Sequence, residues 1–384
     1  MAKTPGPPRN LYSLDALRGV ASLAVVFWHW QHFFYAGHEL TSNFTRETQP
    51  LFSFFFLFYR SGWLASDLFF SLSGFIFFWL YSQAITNHTM TPRTFFILRF
   101  SRLYPLHMVT LMSVIVGQAI YTSIHGDTFI YANHDARHFI LNILMIPSIG
   151  LEHGYSFNGP IWSVSVEVVL YAVFFVVCWH TKPRLLYLIA LSATGFLAVS
   201  NLYEPVGRGL GSFFLGGCVH QFFLCVLRSR HLTPISVMAV IATIAMWCGT
   251  IYWSYSEAFH GASGWLGRLS SIFPMTILFP STILSLALVE SRRGTLGKRI
   301  SFLGDISYSS YLWHFPLQLV FVLVAPLVGA TTLSFQSAAS LILYFVTLVA
   351  ISLASYKFIE RPAQRRIRQA WLVARTNGRP EAES

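Results

Sequence analysis

Three ionisable side chains lie within the first long apolar stretch of this sequence, namely Asp15, Arg18 and His29. In a helix, Arg18 and His29 would share one face, with their Cα atoms ~16 Å apart along the axis. Asp15 and Arg18 are three residues apart, which is close enough for an ion pair. An ionisable side chain within a membrane span is costly, and a histidine there can exchange a proton near neutral pH. The first stretch therefore predicts a cation and a base at two depths of one helix.

Two carboxylates enter later apolar stretches, Asp67 and Glu167. Both stretches are predicted to run antiparallel to the first, and each carboxylate comes early in its stretch. The rise per residue then places both within ~10 Å of the membrane surface nearest His29. A carboxylate buried without a partner is costly, so each is a functional candidate. A lone intramembrane histidine is often only a packing residue, but two carboxylates at its depth favour chemistry.

Cationic side chains gather toward the opposite membrane surface. Arg99 and Arg102 are predicted to open the third helix, one turn apart on one side. His314, in the ninth stretch, is predicted ~12 Å from the same surface, near the level of Arg18. These residues predict a cationic patch at this membrane surface. The alternative is that Arg99 and Arg102 only anchor their helix at the lipid headgroups.

A metal site is the weaker interpretation of the histidines that follow His29. The cluster of His29, His32, His38 and Glu39 has loose spacing, and half of it falls in a predicted outer loop. No bound metal and no permanent cofactor are therefore expected. The cysteines lie inside apolar runs without metal-ligand spacing and are interpreted as packing residues. They are Cys178, Cys218, Cys225 and Cys248.

The elements that position these residues follow from the composition. Hydrophobic residues make up 54% of the 384 residues and charged residues only 11%. A soluble domain carries about 25% charged residues, so this chain has too few to cover a water-facing surface. Apolar runs of about 20 residues recur along the chain and must be helices, because barrel strands would alternate. The predicted fold is an all-α integral membrane protein, a bundle of about ten transmembrane helices.

The ten predicted spans also define the domain organisation. They lie near 11–34, 62–82, 103–123, 161–180, 185–200, 209–227, 233–253, 268–289, 306–328 and 335–358. Residues 1–10 form an N-terminal tail without the features of a cleavable signal peptide, and 359–384 form a basic C-terminal tail. A single membrane domain, 11–358, contains an outer loop at 124–160. The short apolar runs 51–59 and 139–147 are assigned to interfacial or re-entrant pieces.

The distribution of basic residues sets the predicted orientation. Of 26 Lys and Arg residues, 20 lie in segments on the side of the N-terminus, 5 lie on the other side, and Arg18 lies within a span. Positive charge concentrates on cytoplasmic loops, so both termini are expected in the cytoplasm. The net charge of +11 is therefore explained by membrane orientation, and no nucleic-acid partner is expected.

Six segments, in order along residues 14 to 362, resemble those of membrane acyltransferase family 3, the bacterial O-acyltransferases of surface glycans and small glycosides. They are Leu14–Gly19 with His29, Gly62–Trp63 with Asp67–Phe75, Arg99–Pro105, Ile161–Glu167, Leu303–Pro316 and Phe358–Pro362. Many members carry a second acidic residue directly after Glu167, where this chain has Val168, so that carboxylate cannot act here. The chain also ends without the esterase-like domain of some members, so the acceptor is expected to be handled by the membrane unit or a partner.

The resemblance implies transfer of an acyl group, expected to be acetyl, from cytoplasmic acyl-CoA to a hydroxyl of a glycan or glycoside acceptor. The enzyme would reside in the bacterial inner membrane. His29 would be the base or acyl carrier, and Glu167 or Asp67 would orient it. Further substrate contacts are expected from Arg18, Arg99, Arg102, Asp15, Ser73, Trp162, Tyr311 and His314.

Two other classes of function fit the same polar residues. A polytopic transporter or flippase would use intramembrane Arg, His and Glu equally well, although no internal repeat is visible. A structural subunit of a glycan-export complex would tolerate His29→Ala. Consumption of acyl-CoA by the purified protein separates the enzyme from both.

Overall fold

The computed structural model describes residues 10–42, 44–199, 204–255 and 272–377. Most of them are helical, because an apolar segment in hydrocarbon can satisfy its backbone hydrogen bonds only within itself. The helices are α1 Tyr12–Trp28, α2 Phe52–Ser61, α3 Ala65–Leu80, α4 Ser82–Thr86, α5 Pro92–His125, α6 Ala136–Ile143, α7 Trp162–His180, α8 Leu185–Ala198, α9 Glu204–Arg228, α10 Leu232–Tyr255, α11 Phe279–Arg293, α12 Phe302–Asp305, α13 Ser307–Val324, α14 Ala338–Ser355 and α15 Arg361–Asn377. Strands β1 (Tyr35–Ala36) and β2 (Glu39–Leu40) form a short antiparallel pair.

Helix length confirms the predicted all-α membrane protein. Among the described residues, eight helical segments are long and apolar enough to cross a bilayer, from Phe52–Leu80 to Ala338–Val373. Helices α1 and α8, with 17 and 14 residues, coincide with two further predicted spans but are shorter than these eight segments. Each of the ten predicted spans thus coincides with a helix, although 268–271 of the eighth lie outside the described residues.

Helix α5 differs most from its prediction. It begins at Pro92, eleven residues before the predicted span, and runs for 34 residues. Thr91 causes the early start, because its side chain accepts a hydrogen bond from the Thr94 backbone N–H and Pro92 suits the first turn. The expectation that Arg99 and Arg102 open this helix is therefore wrong, since both lie two to three turns inside it.

Three other segments complete the comparison. The run 51–59 is helical and belongs to one 29-residue helical segment with the predicted second span. Helix α6, in the predicted outer loop, has eight residues and is too short to cross a membrane, as expected. Residues 361–377 of the predicted tail are helical, because α14 continues through a π-helical turn into α15.

The chain divides into two compact units, each assembled from three segments of the sequence. The first unit comprises Met1–Trp30, Leu51–Gln83 and Val166–Ser307. The second comprises Gln31–Pro50, Ala84–Ser165 and Tyr308–Ser384.

In the first unit, α3 and α9 pack with their backbones almost in contact. A methyl group on Gly74 would overlap the carbonyl oxygen of Phe213, and one on Gly216 would overlap that of Ser71. The Ser71 hydroxyl donates to the Ser212 carbonyl oxygen at 3.0 Å across the same contact. Close approach through small residues and interhelical hydrogen bonds is what holds helices together where the surroundings are as apolar as the side chains.

The N-terminus of α1 is capped by a carboxylate from α11. The Glu290 oxygens accept hydrogen bonds from the Tyr12 and Ser13 backbone N–H groups, each at 2.8 Å, and from the Ser13 hydroxyl at 2.6 Å. Glu290 is fully buried. The negative charge satisfies two unpaired N–H groups and complements the positive end of the helix dipole. This contact fixes the helix that carries Asp15 and Arg18.

In the second unit, α5 and α13 pack around an aromatic core that includes part of the outer loop. Gln118 of α5 is buried, and its side chain bonds both the N–H and the C=O of Phe129, at 2.9 and 2.8 Å. The buried core residues are Leu111, Val114, Tyr121, Phe129, Phe157, Phe315 and Leu319. The predicted outer loop, 124–160, therefore packs against α5 and α13 through its own apolar side chains.

We expect Gly74→Ala to lower stability by about 1–3 kcal/mol, because the added methyl must displace the Phe213 backbone. The matched control is Gly249→Ala on α10, where a methyl would meet nothing within 4 Å. That control should be neutral or stabilising by up to about 1 kcal/mol, since alanine favours helix. Thermal unfolding of both variants in the same detergent measures the difference. Equal midpoints would contradict the close packing of α3 on α9.

Candidate active site

The predicted pair of Asp15 and Arg18 forms on α1. An Arg18 guanidinium nitrogen lies 2.6 Å from an Asp15 carboxylate oxygen, one turn away on the same helix. A methyl on Gly304 of α12 would overlap the Asp15 carbonyl oxygen. A methyl on Gly19 would likewise overlap the Leu303 side chain. The segment that carries Arg18 is therefore pressed against the segment around Gly304, and two of the motif segments meet here.

Asp67 is held by an arginine that the sequence analysis did not select. The Asp67 side chain has no exposed surface, and Arg208 of α9 donates to both of its oxygens. Arg208 also lies over the Trp63 ring at 4.9 Å and reaches Glu204 at 3.4 Å. A buried carboxylate with a bidentate guanidinium partner has its charge neutralised in place. Asp67 thus orients Arg208 and α9.

Glu167 has a different environment. One of its oxygens accepts a hydrogen bond from the Ser73 hydroxyl at 2.7 Å, and both side chains are partly buried. This contact joins two motif segments, one on α3 and one on α7. The bond orients the carboxylate without neutralising its charge. Glu167 can therefore still accept a second hydrogen bond or stabilise a neighbouring positive charge.

His29 lies at the point where α1 ends. The α-helix runs through Trp28, and His29 begins a 3₁₀ segment that extends to Phe34. Because all ten residues between Arg18 and His29 are α-helical, their predicted axial separation of ~16 Å applies. The imidazole is partly buried.

Tyr311 and Trp162 belong to a junction within the second unit. The Tyr311 hydroxyl donates to the Pro160 carbonyl oxygen at 2.7 Å and shares a 2.7 Å hydrogen bond with Ser163. Trp162, between Pro160 and Ser163 in the chain, begins α7 and is partly buried. Asn158 donates to the Leu312 carbonyl oxygen at 3.0 Å in the same region. The motif segments 161–167 and 303–316 are thereby joined at the start of α7.

His314 is a fully buried residue of α13. Its Nδ1 donates to the Tyr311 carbonyl oxygen, and its own carbonyl oxygen accepts from the Tyr344 hydroxyl at 2.7 Å. His32, also buried, bonds Gln318 on the same helix at 2.9 Å. His38 instead bonds Asp127 at 3.0 Å. The histidines after His29 thus have separate protein partners.

Arg99 and Arg102 are partly buried on α5, next to a third arginine. Arg368 of α15 donates to the Ser101 hydroxyl at 3.2 Å and to the Leu98 carbonyl oxygen at 3.4 Å. Ser101 lies between Arg99 and Arg102 in the chain. The predicted cationic patch is therefore enlarged by the helix that forms from the C-terminal tail.

Sequence reasoning missed Arg208, Glu290 and Glu360. Arg208 stands between two glycines just before a predicted span and was counted as a loop residue. Glu290 lies one residue beyond the predicted span 268–289, and Glu360 lies inside a motif segment, but neither was selected. In the structure Glu360 is buried and accepts a hydrogen bond from Ser309, another motif residue. The intramembrane cost of a carboxylate was the signal that would have selected both glutamates.

Similarity to a known protein family identifies the class of this protein. A model of the acyltransferase 3 family, described as an acyltransferase domain, matches residues 11–357. The chain belongs to membrane acyltransferase family 3. Five of the six segments that resemble the family lie within the matched residues, and the described contacts join several of the six within each unit.

Family members of known name are distant in sequence. The peptidoglycan O-acetyltransferase OatA of Listeria monocytogenes serovar 1/2a is 25% identical over 390 residues, covering 92% of this chain and 56% of that protein. The O-acetyltransferase OatA of Staphylococcus aureus strain NCTC 8325 is 23% identical, covering 94% and 58%. The acyltransferase MdmB of Streptomyces mycarofaciens is 26% identical, covering 80% of each chain. This family domain thus spans little more than half the length of the two O-acetyltransferases. No solved structure matches the chain.

We expect Arg208→Gln to destabilise the protein by about 3–5 kcal/mol, because the buried Asp67 charge loses its partner. The double variant Asp67→Asn/Arg208→Gln should recover a large part of that loss, since two neutral amides can bond each other. Glu204→Gln, which removes only the exposed partner of Arg208, should cost less than about 1 kcal/mol. Thermal unfolding in detergent measures all three. A double variant as unstable as Arg208→Gln alone would contradict the pairing.

Proposed function

We propose that this protein transfers an acyl group, acetyl in the simplest case, from cytoplasmic acyl-CoA to a hydroxyl of a glycan or glycoside at the inner membrane. The observation that carries the proposal is the match of the acyltransferase domain to residues 11–357. The relatives named as O-acetyltransferases support an acetyl donor and an oxygen acceptor, and one of them is named for peptidoglycan.

His29 is the proposed base or acyl carrier. In direct transfer, the imidazole takes the proton of the acceptor hydroxyl, the oxygen attacks the thioester carbonyl, the C–S bond breaks and CoA leaves as the thiol after protonation. In the two-step alternative, an imidazole nitrogen attacks the thioester carbonyl, the C–S bond breaks and CoA leaves as the thiol after protonation. The acceptor oxygen then attacks the acyl group, the acyl–imidazole bond breaks and the imidazole takes the hydroxyl proton.

Glu167 is the better of the two candidate carboxylates for assisting His29. Asp67 gives both oxygens to Arg208, so its charge is already balanced. Glu167 has a neutral hydroxyl partner, Ser73, and retains a charge that can stabilise an imidazolium. In this proposal Asp67 acts through Arg208 as a positioning residue.

The proposed contacts with acyl-CoA are arginines, considered separately in the two units. CoA carries several phosphate groups, which Arg99 and Arg102 can bind from two turns of one helix face. Arg368, bonded to Ser101 between them, adds a third guanidinium to the patch. In the first unit, Arg18, ~16 Å from His29 along α1, is the candidate contact for the pantetheine arm. An extended arm of that length would bring the thioester to His29.

We expect His29→Ala to reduce acyl transfer by at least 10²-fold while the protein still accumulates in the membrane. Glu167→Gln should give a milder loss, because the hydrogen bond from Ser73 can persist without the charge. The exposed Glu204→Gln is the matched carboxylate control and should retain its rate. The full chain in nanodiscs with radiolabelled acetyl-CoA and an oligosaccharide acceptor provides the measurement, as labelled ester formed.

The outcomes separate the competing functions. Arg99→Ala and Arg102→Ala should each raise the KM for acyl-CoA by about tenfold or more through a lost charge-assisted contact. More than about a tenth of the wild-type rate in His29→Ala would exclude histidine chemistry at this position. An intact wild-type protein that leaves acetyl-CoA unconsumed but moves a solute would be a transporter.

The proposal also predicts that both termini face the cytoplasm and that the loop 124–160 faces outward, as the distribution of basic residues indicates. Single cysteines at exposed Leu151 and exposed Arg366 test it, with the four native cysteines replaced by serine. A membrane-impermeant maleimide added to spheroplasts should label position 151 and spare position 366. The reverse pattern would overturn the orientation.

A further inference from the structure

A groove on the surface of the first unit joins an apolar wall to two cations. It has a volume of about 510 Å³ and lies between the N-terminal half of α10 and the C-terminal end of α11. Val237, Val240 and Ile241 of α10 form its wall with Val289 of α11. Arg292 and Arg293, on the last turn of α11, line the end of the groove.

The two arginines are exposed, and no carboxylate among the described residues lies within ion-pair distance of either. The nearest acidic residue in the chain, Glu290, is fully buried and gives its oxygens to Tyr12 and Ser13. A basic residue in the last turn of a helix is favoured by the helix dipole alone. Two adjacent guanidinium groups at the end of a groove additionally favour an anionic ligand.

The wall of the groove identifies the rest of the ligand. Only 11% of the spanning window of α10 is buried inside the protein, so most of this helix faces the hydrocarbon. Val237 and Ile241 are among its exposed side chains. A soluble anion would contact the arginines and leave this apolar wall unfilled. A diacyl lipid with an anionic headgroup satisfies both parts, because its phosphate meets the arginines and one acyl chain lies along the valines.

We propose that this groove is a binding site for an anionic phospholipid, with Arg292 and Arg293 on the headgroup and Val237, Val240, Ile241 and Val289 on an acyl chain. The site is separate from the proposed active site and does not depend on acyl transfer. It does reach α1 indirectly, because Arg292 and Arg293 follow Glu290 on the last turn of α11, and Glu290 caps α1. A bound lipid would therefore stabilise the end of α11 that holds the helix of Arg18.

Lipid retention by the full chain tests the proposal. The purified protein in a neutral detergent is titrated with phosphatidylglycerol or with phosphatidylcholine of the same acyl chains, and the first bound lipid is measured by native mass spectrometry. The wild type should bind phosphatidylglycerol more tightly. Arg292→Gln/Arg293→Gln should weaken that binding by about five-fold per arginine, or about 25-fold together. Lys182→Gln/Arg184→Gln removes the same charge from the exposed α7–α8 connection and should leave it unchanged.

A second variant tests the contribution of the apolar wall separately from that of the two arginines. Val240→Trp fills the groove and keeps both arginines, so it should weaken phosphatidylglycerol binding while glycerol 3-phosphate, the soluble headgroup, binds weakly to every variant. Equal affinity for the two lipids in the wild type would overturn the proposal, as would equal losses in the two double variants. Glycerol 3-phosphate or inorganic phosphate that competes as strongly as the lipid would show a simple anion site instead. Unaltered binding in Val240→Trp would exclude the acyl-chain contact.

Discussion

The position of helix α1 depends on one buried carboxylate. Glu290 takes the backbone N–H groups of Tyr12 and Ser13 and so satisfies the end of a helix that cannot turn to water. Its charge is stabilised by three hydrogen bonds and by the helix dipole, which is why a fully buried glutamate is tolerated there. Asp15, Arg18 and His29 all lie on or directly after this helix, so the proposed chemistry rests on a contact between residues 277 positions apart.

The first unit is also stabilised by close contact between the backbones of α3 and α9. Gly74 and Gly216 let α3 and α9 meet without intervening side chains, and this contact brings Arg208 to Asp67. In hydrocarbon, apolar side chains gain little by leaving lipid for protein, so close contact and polar pairing must supply the association. The packing of α3 on α9 therefore brings Asp67 and Arg208 together, and their ion pair in turn stabilises that packing. Glu167, bonded to Ser73 on α3, takes its orientation from the same helix.

Asp67 and Glu167 are two carboxylates that the sequence alone did not distinguish, but they have different partners in the structure. Asp67 is paired with a guanidinium, while Glu167 accepts a hydrogen bond from a neutral hydroxyl. In the second unit, the family segments converge by similar means, through Tyr311 with Pro160 and through Ser309 with Glu360. Several motif residues of this family domain thus act by joining segments. In the proposed function, the arginines of α5 bind the donor together with Arg368, which donates a hydrogen bond to Ser101.

Composition and the length of the apolar runs determined that this chain is a helical membrane protein, because hydrocarbon allows few other ways to satisfy a backbone. The spacing of Asp15 and Arg18 also predicted their ion pair, since both lie within one turn of one helix. The early start of α5, the pairing of Asp67 with Arg208 and the cap from Glu290 were not predictable in this way. The early start of α5 depends on a local cap that involves only a few residues. The Asp67–Arg208 pair joins residues 141 positions apart, and the Glu290 cap joins residues 277 or 278 positions apart. Periodicity reports which residues share a helix face, whereas partners on different helices are chosen only when the packed backbones bring them within hydrogen-bond distance.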